Sequence, residues 1–102
     1  MSFDGFKQIL DNSAQASGLL RVLSNEKRLT IMCHLMDGEM SVQNLQDATG
    51  MQQSTVSQQL AVLRGEQLVK TRREAQSVFY SINSPEALIL LGALQNIYTD
   101  AG

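Results

Sequence analysis

Residues 51–63 read MQQSTVSQQLAVL, and the order of apolar and polar side chains in this stretch decides the fold. Val56, Leu60 and Leu63 follow one another at spacings of four and three, the repeat of one helix face. The pattern therefore predicts a helix over about 53–65. The other positions of its first two turns carry neutral hydrogen-bonding side chains, with no charge among them: Gln53, Ser54, Thr55, Ser57, Gln58 and Gln59.

The segment before this helix has the pattern of a first helix of a helix-turn-helix motif. Apolar residues recur every three positions over about 42–49, which predicts a short helix. Ser41 precedes it as an N-cap candidate, and Gly50 is the residue expected past its end. Two helices joined by about four residues that include a glycine predict a helix-turn-helix over about 42–65.

The segment after the helix-turn-helix changes from helical to β-type patterning. Residues 68–73 and 77–82 are rich in β-prone side chains, and the second run alternates between apolar and polar. Residues 74–76 lie between the two runs and are polar or small. The pattern predicts a β-hairpin, the wing, over about 68–82.

Three further helices are predicted, over about 3–23, 26–36 and 85–98, from apolar residues at helical spacing. Asn25 and Ser84 stand at the N-cap positions of the second and third of these.

The last helix is apolar on more than one face, which a domain of 102 residues cannot bury by itself. Together with the amphipathic first helix, it predicts a homodimer that forms through the first and last helices. The residues predicted at this interface are Leu19, Leu20, Leu90, Leu91, Leu94, Ile97 and Tyr98.

The predicted element order is α-α-α-α-β-β-α, a mainly α fold with a β-hairpin wing. This order is that of a winged helix-turn-helix, and the absence of a linker-like or repeated segment predicts one domain over residues 1–102.

Composition suits a soluble protein: 43% of the residues are hydrophobic and 18% are charged. No apolar run is long enough to span a membrane, and the first residues lack a basic signal-peptide start, so we expect a cytoplasmic protein. The net charge of −2 argues mildly against a nucleic-acid partner. The local charge is positive from Arg64 to Arg73, because this segment, its ends included, has four basic residues and one acid, Glu66.

Three stretches of the chain resemble the ArsR/SmtB family of bacterial transcriptional regulators: LSNEKRLTIMCHL, SVQNLQDATGMQQSTVSQQLAVLRGEQLV and TRREAQSVFYSI. The resemblance covers about 15–98 and looks closest to the NolR/HlyU-like subgroup. It implies a dimeric winged-helix protein that binds a palindromic operator and usually represses. Gln59 stands where the family often has His, and Gln52 where it prefers a Ser N-cap. The positions that match the family's DNA contacts best are Ser54, Thr55, Ser57 and Gln58.

The chemistry of the polar cluster fits base recognition. In a helix-turn-helix the second helix enters the major groove with its N-terminal residues at the base edges. A Gln amide donates and accepts at once, which matches adenine, and Ser or Thr hydroxyls can serve bases or phosphates. The alternative is a solvated polar helix face, although such faces usually carry Lys and Glu.

Basic side chains near this helix and in the wing are candidates for phosphate and minor-groove contacts. The predicted contacts are Arg64, Arg72, Arg73 and Gln76. The alternative for the wing arginines is a role in solubility or in protecting the strand edge.

No metal or other cofactor is expected. The family's metal sites use a Cys-x-Cys pair at the first helix of the motif or Asp and His pairs on the last helix, and residues 39–45 and 85–98 lack these sets. Cys33 is the only cysteine, so it cannot form a disulfide within the chain. It is either a small core residue or a thiol that is oxidised alone or bridges two subunits. His34 is expected at the surface or its boundary.

The sequence features bear on three possible classes of function. The polar helix and the basic wing favour a sequence-specific DNA-binding regulator, and the acidic net charge gives some weight to a winged-helix protein-interaction module. An enzyme is not expected, because Cys33 and His34 are neighbours in sequence and no phosphate loop or carboxylate pair is present.

Overall fold

The computed structural model describes residues 3–99 of the chain. Within them lie six helices and three strands, in the order predicted for a winged helix-turn-helix but with one more helix and one more strand. The elements are α1 (Phe3–Asp11), α2 (Ser13–Leu23), α3 (Glu26–Leu35), β1 (Met40–Ser41), α4 (Val42–Thr49), α5 (Gln53–Gly65), β2 (Val69–Glu74), β3 (Ser77–Ile82) and α6 (Pro85–Tyr98).

The predicted first helix is two helices, and this boundary of the prediction is wrong. Asn12 separates α1 from α2 with φ −113° and ψ 21°, outside the helical region. Its side-chain Nδ2 donates to the Gln8 carbonyl oxygen at 2.8 Å, a local bond that competes with the helical pattern. The spacing of the apolar residues does not reveal this break, because they continue at helical intervals on both sides of it.

Side-chain caps start three of the helices where the sequence predicts them. The Asn25 side chain accepts from the Arg28 N–H, and the Ser84 side chain accepts from the Ala87 N–H. Ser41 and Asn44 form a reciprocal capping box at the start of α4. These caps fix where α3, α4 and α6 begin, and so fix the frame against which α5 packs.

The turn between α4 and α5 forms as predicted. Gly50 takes a left-handed conformation with φ 76°, which glycine adopts without steric cost and which ends α4. Gln52, where the family prefers a Ser N-cap, stands at the N-cap of α5 without a side-chain cap bond.

The wing is part of a three-stranded antiparallel sheet in the order β1-β3-β2. Glu74 pairs with Ser77, so the turn has two residues rather than the predicted three, and Ala75 takes a positive φ of 55°. The additional strand β1 pairs Met40 with Tyr80. A two-residue strand is too short to show an alternating pattern, which is why the sequence does not reveal it.

The core fills the space between the helix-turn-helix, the sheet and the facing sides of α2, α3 and α6. Its buried members are Val22, Leu23, Ile31, Met32, Leu35, Leu45, Val56, Leu60, Leu63, Leu68, Val69, Ala87 and Leu91. Leu91 was predicted at the dimer interface, and that prediction is wrong. Its side chain is 1% exposed because it packs, with Ala87, against the protomer's own core.

The protomer exposes more surface than a compact monomer of its mass. Its Cα radius of gyration is 15.2 Å, whereas a compact domain of this length has about 13 Å. Its accessible surface is 7174 Å², about 1,500 Å² more than the scaling for folded monomers gives. Among the described residues, no helix has the length and apolar character needed to cross a membrane.

Candidate nucleic-acid interface

The outer face of α5 carries the neutral polar side chains. Val56, Leu60 and Leu63 anchor the opposite face in the core, at 0–1% exposure. At 100° per residue, Ser54 and Gln58 lie about 160° from the centre of that buried stripe. Both are exposed, and so is Ser57 on the flank of this face, whereas Thr55 is half-buried. Gln53 is also exposed, but it stands in the first turn of the helix, about 50° from the centre of the buried stripe. The helix therefore separates anchoring residues from outward hydrogen-bonding residues.

Gln59, which is predicted to contact DNA, does not belong to the outward face. Its side chain is half-buried, and its Oε1 accepts a hydrogen bond from Arg28 Nη1 at 3.1 Å. A signal for this exists in the sequence, because Gln59 stands only about 60° from the buried stripe of α5 on a helical projection.

Arg72, which is predicted to contact phosphate, is held by two carboxylates. Its guanidinium pairs with Glu39 at 2.6 Å and with Glu74 at 2.7 Å, and its Cζ lies 4.9 Å from the centre of the Phe79 ring. The hydrogen bond from Arg72 holds the pKa of the Glu39 carboxyl below its ordinary value. The bonds to Glu39 and Glu74 raise the pKa of the Arg72 guanidinium further. Two acids thus offset the positive charge of Arg72.

Two basic side chains of the wing, Lys70 and Arg73, have no acidic partner among the described residues. Neighbouring residues of a strand point to opposite faces, so Arg73 points away from the ion-paired face of Arg72. It is exposed, and within residues 3–99 its side chain makes neither an ion pair nor a hydrogen bond. Gln76 is exposed at the hairpin turn, and Arg64 is exposed in the last turn of α5.

Cys33 lies at the surface of α3, which excludes the alternative in which it is a core residue. Partial desolvation raises the pKa of the Cys33 thiol, which lowers the fraction of reactive thiolate at neutral pH. This environment does not favour the alternative in which Cys33 senses oxidants. His34 is half-buried, at the surface boundary as predicted. Over residues 3–99, no three His, Cys, Asp or Glu side chains come together as metal ligands would.

An apolar surface runs along α1, α2 and α6 on the side away from the core. Leu20 is 58% exposed and Ile89 is 72% exposed, and both line the groove between α2 and α6. Of the residues predicted at the dimer interface, Leu20, Ile97 and Tyr98 are exposed. Leu19, Leu90 and Leu94 are half-buried at its inner edge.

Comparison with known proteins identifies the family. The family model described as bacterial regulatory protein, arsR family, matches residues 25–71. The transcriptional activator HlyU of Vibrio cholerae is 46% identical to this chain over 88% of its length and 83% of the length of HlyU. The chain belongs to the ArsR family of bacterial regulatory proteins. This ArsR-family chain is therefore a transcriptional regulator rather than an enzyme, as predicted.

Further relatives agree with the subgroup predicted for this ArsR-family protein. The nodulation protein NolR of Rhizobium meliloti is 46% identical over 83% of this chain and 70% of its own length. The crystal structure of the transcriptional repressor BigR from Xylella fastidiosa superposes with a TM-score of 0.86 at 35% identity, over 98% of this chain and 99% of that one. The winged helix-turn-helix fold is thus shared with solved regulators of the family.

Proposed function

We propose that two copies of this chain form a homodimer that binds a palindromic operator and represses transcription from it. The helix-turn-helix of each copy would place its α5 in the major groove of one half-site, with the wing beside it. The observation that carries this proposal is the exposed neutral face of α5, with Ser54 and Gln58 directly opposite the buried stripe.

The residues of that face supply what base recognition requires. The amide of Gln58 can donate to and accept from the adenine edge, and Ser57 can bond a base or a phosphate. Because the Gln52 side chain does not cap α5, N–H groups of the first turn remain for a phosphate oxygen. Arg64, in the last turn of α5, and Arg73, in the wing, add positive charge. Base preference and affinity for the DNA backbone would thus come from different residues.

The exposed apolar surface of the terminal helices supports the dimer. A stable interface buries about 800 Å² on each partner, and the surface excess of this protomer is about twice that. Leu20 and Ile89 offer aliphatic side chains on both walls of the groove into which a second copy would pack. In a two-fold dimer the same groove is used by both copies.

Repression needs only that the dimer occupy its operator, whereas activation needs a further contact with the transcription machinery. Relatives include both a transcriptional activator, HlyU of Vibrio cholerae, and a biofilm growth-associated repressor of Xylella fastidiosa. A reporter gene placed behind the operator shows whether the protein represses or activates transcription. Lower expression in the presence of the protein is expected, and higher expression would contradict repression while leaving the DNA-binding proposal intact.

Replacing Gln58 with Ala is expected to raise the Kd for the operator by about 5- to 150-fold, which corresponds to about 1–3 kcal/mol for a specific base contact. Binding to scrambled DNA should stay the same, because the change removes no charge. Gel shifts on fragments selected from genomic DNA, and on scrambled duplexes, measure both. Ser57→Ala is expected to act in the same direction.

Gln95→Ala on α6 is the matched control, since it removes an exposed glutamine outside the helix-turn-helix and the wing. Unchanged operator discrimination in the Gln58 variant would show that α5 does not read bases as proposed. Binding without any sequence preference in the unmodified protein would instead favour a protein-interaction module.

The two wing arginines are expected to differ in their effect on salt dependence. Arg73→Ala should weaken binding to all sequences and lower the slope of log affinity against log salt by about 1, as for one lost phosphate contact. Arg72→Ala should change that slope by less than half as much, because Glu39 and Glu74 already offset its charge. Titrations at four or more salt concentrations measure the slopes, and equal decreases would mean that Arg72 also contacts phosphate.

A further inference from the structure

The position of Arg28 is fixed by the start of α3. Its backbone N–H donates to Asn25 Oδ1 at 3.0 Å, which is the N-cap bond of that helix. The side chain therefore leaves from a defined point of the fold, and the residue is half-buried rather than free in solvent.

The Arg28 side chain reaches the end of α2. Its Nε donates to the Val22 carbonyl oxygen at 2.8 Å. That oxygen belongs to the last turn of α2, where carbonyls lack a partner within the helix and where a cation also favours the helix dipole. Two residues before Val22 lies Leu20, part of the apolar surface proposed as the dimer interface. Arg28 is thus bonded to the helix that would carry the second copy.

The same guanidinium also reaches α5. Its Nη1 donates to Gln59 Oε1 at 3.1 Å, and Gln59 directly follows Gln58 of the outward face. No carboxylate among the described residues lies within ion-pair distance of Arg28. One side chain therefore joins the end of α2, the start of α3 and the middle of α5.

We propose that Arg28 is a positioning residue for operator recognition, which acts through Gln59 to fix the rotation of α5 relative to the dimer helix α2. Arg28 would not contact DNA. This inference rests on the proposed function, since it concerns how accurately the two copies of α5 are presented to their half-sites.

The geometry explains why such an anchor matters. A helix with its side chains has a radius of about 5–6 Å, so a rotation of about 10° moves a side-chain end by about 1 Å. Hydrogen bonds to bases tolerate only a few tenths of an ångström around their usual length. The aliphatic core residues of α5 set which face is buried, and the Arg28–Gln59 bond adds a directional contact beside that packing. Without it, phosphate contacts would persist and base contacts would weaken.

The test compares Arg28→Met, Gln59→Met and the double variant, because methionine keeps an unbranched apolar stem without the hydrogen bond. Each single variant should lose about tenfold in operator affinity, with scrambled DNA bound within about twofold of the unmodified protein and the salt slope unchanged. The double variant should lose no more than either single variant, because both changes break one bond. Lys27→Met, on the same turn of α3, is the control for loss of one positive charge. It should keep its discrimination between operator and scrambled DNA.

Three outcomes would overturn the proposal. A salt slope lowered by about 1 in Arg28→Met would make Arg28 a phosphate contact, and additive losses would make Gln59 an independent contact. Unchanged discrimination in both single variants would make the bond irrelevant to recognition. If thermal unfolding shows that Arg28→Met is not folded, Gln59→Met decides, since it leaves the bond to Val22 in place. Gln58→Ala is measured alongside. If this variant keeps its operator discrimination, the proposed function is refuted and not only the role of Arg28.

Discussion

Replacing Leu20 with Glu is expected to give a folded monomer that has lost high-affinity binding to a two-half-site operator. Leu20 is 58% exposed on α2, so the protomer does not need it for its own core. In a dimer the change would bury a carboxylate against apolar side chains of the second copy, and burial of an unpaired charge strongly opposes association. Light scattering should report the mass of one chain instead of two.

The loss of DNA affinity follows from the loss of the second half-site. A dimer places its second reading helix next to DNA that the first already holds, and such linkage raises affinity by about 100-fold or more. The Leu20→Glu variant should lose at least that factor for the operator while its helical circular dichroism is preserved. Gln43→Glu, exposed on α4, adds the same charge away from the apolar surface and should stay dimeric. A dimeric Leu20→Glu variant would refute the proposed interface.

Replacing Leu91 with Ala is expected to lower the free energy of unfolding of the protomer by about 2–5 kcal/mol, the usual cost of a truncated and fully buried leucine. Leu91 is 1% exposed within one protomer, so the cavity forms there whether or not a second copy is bound. Since small domains have only about 5–15 kcal/mol of stability, this is a large part of the total.

The measurement is best made on the Leu20→Glu monomer, because dimerisation would otherwise add to the apparent stability. Denaturant unfolding of that monomer with and without Leu91→Ala gives the cost for the core alone. Leu88→Ala on the same helix, where the side chain is 44% exposed, should cost less than about 1 kcal/mol. Equal costs for the two variants would contradict the placement of Leu91 in the core.

The helix-turn-helix was predictable because local signals determine it. The apolar spacing of Val56, Leu60 and Leu63 specifies which face of α5 is buried, and Gly50 supplies the left-handed turn that ends α4. Asn25 and Ser84 satisfy donors within one turn of themselves, so the residues alone indicate where α3 and α6 begin. Each of these features needs only neighbours within four residues.

The features that escaped prediction depend on distant partners or on very short elements. Gln59 turns inward because Arg28, 31 residues away, offers a donor, and Arg72 is ion-paired because Glu39, 33 residues away, faces it across the sheet. Both arginines and Glu39 look like ordinary surface residues in the sequence, and the only local signal for Gln59 is its position near the buried stripe on a helical projection. The burial of Leu91 was not predicted for another reason. α6 is apolar on several faces, and spacing alone does not say which face meets the core of its own chain.

The charge distribution of the wing follows from the same contacts. Of the two neighbouring arginines, Arg72 stabilises the link between the wing and the residue before β1, whereas Arg73 faces solvent. With phosphate affinity reduced to a few cations, such as Arg64 and Arg73, in a chain of net charge −2, non-specific binding should be weak. A larger share of operator affinity would then depend on the neutral residues of α5.

The most direct test of the central claim, that the neutral face of α5 reads bases, is a base-by-base affinity profile of one operator half-site. Every single-base change in the half-site is measured with the unmodified protein and with Gln58→Ala. We expect the variant to lose its preference at one or two base pairs and to keep it elsewhere, since one amide spans one base edge. A profile that is unchanged, or lowered evenly at all positions, would show that the neutral face of α5 does not read bases.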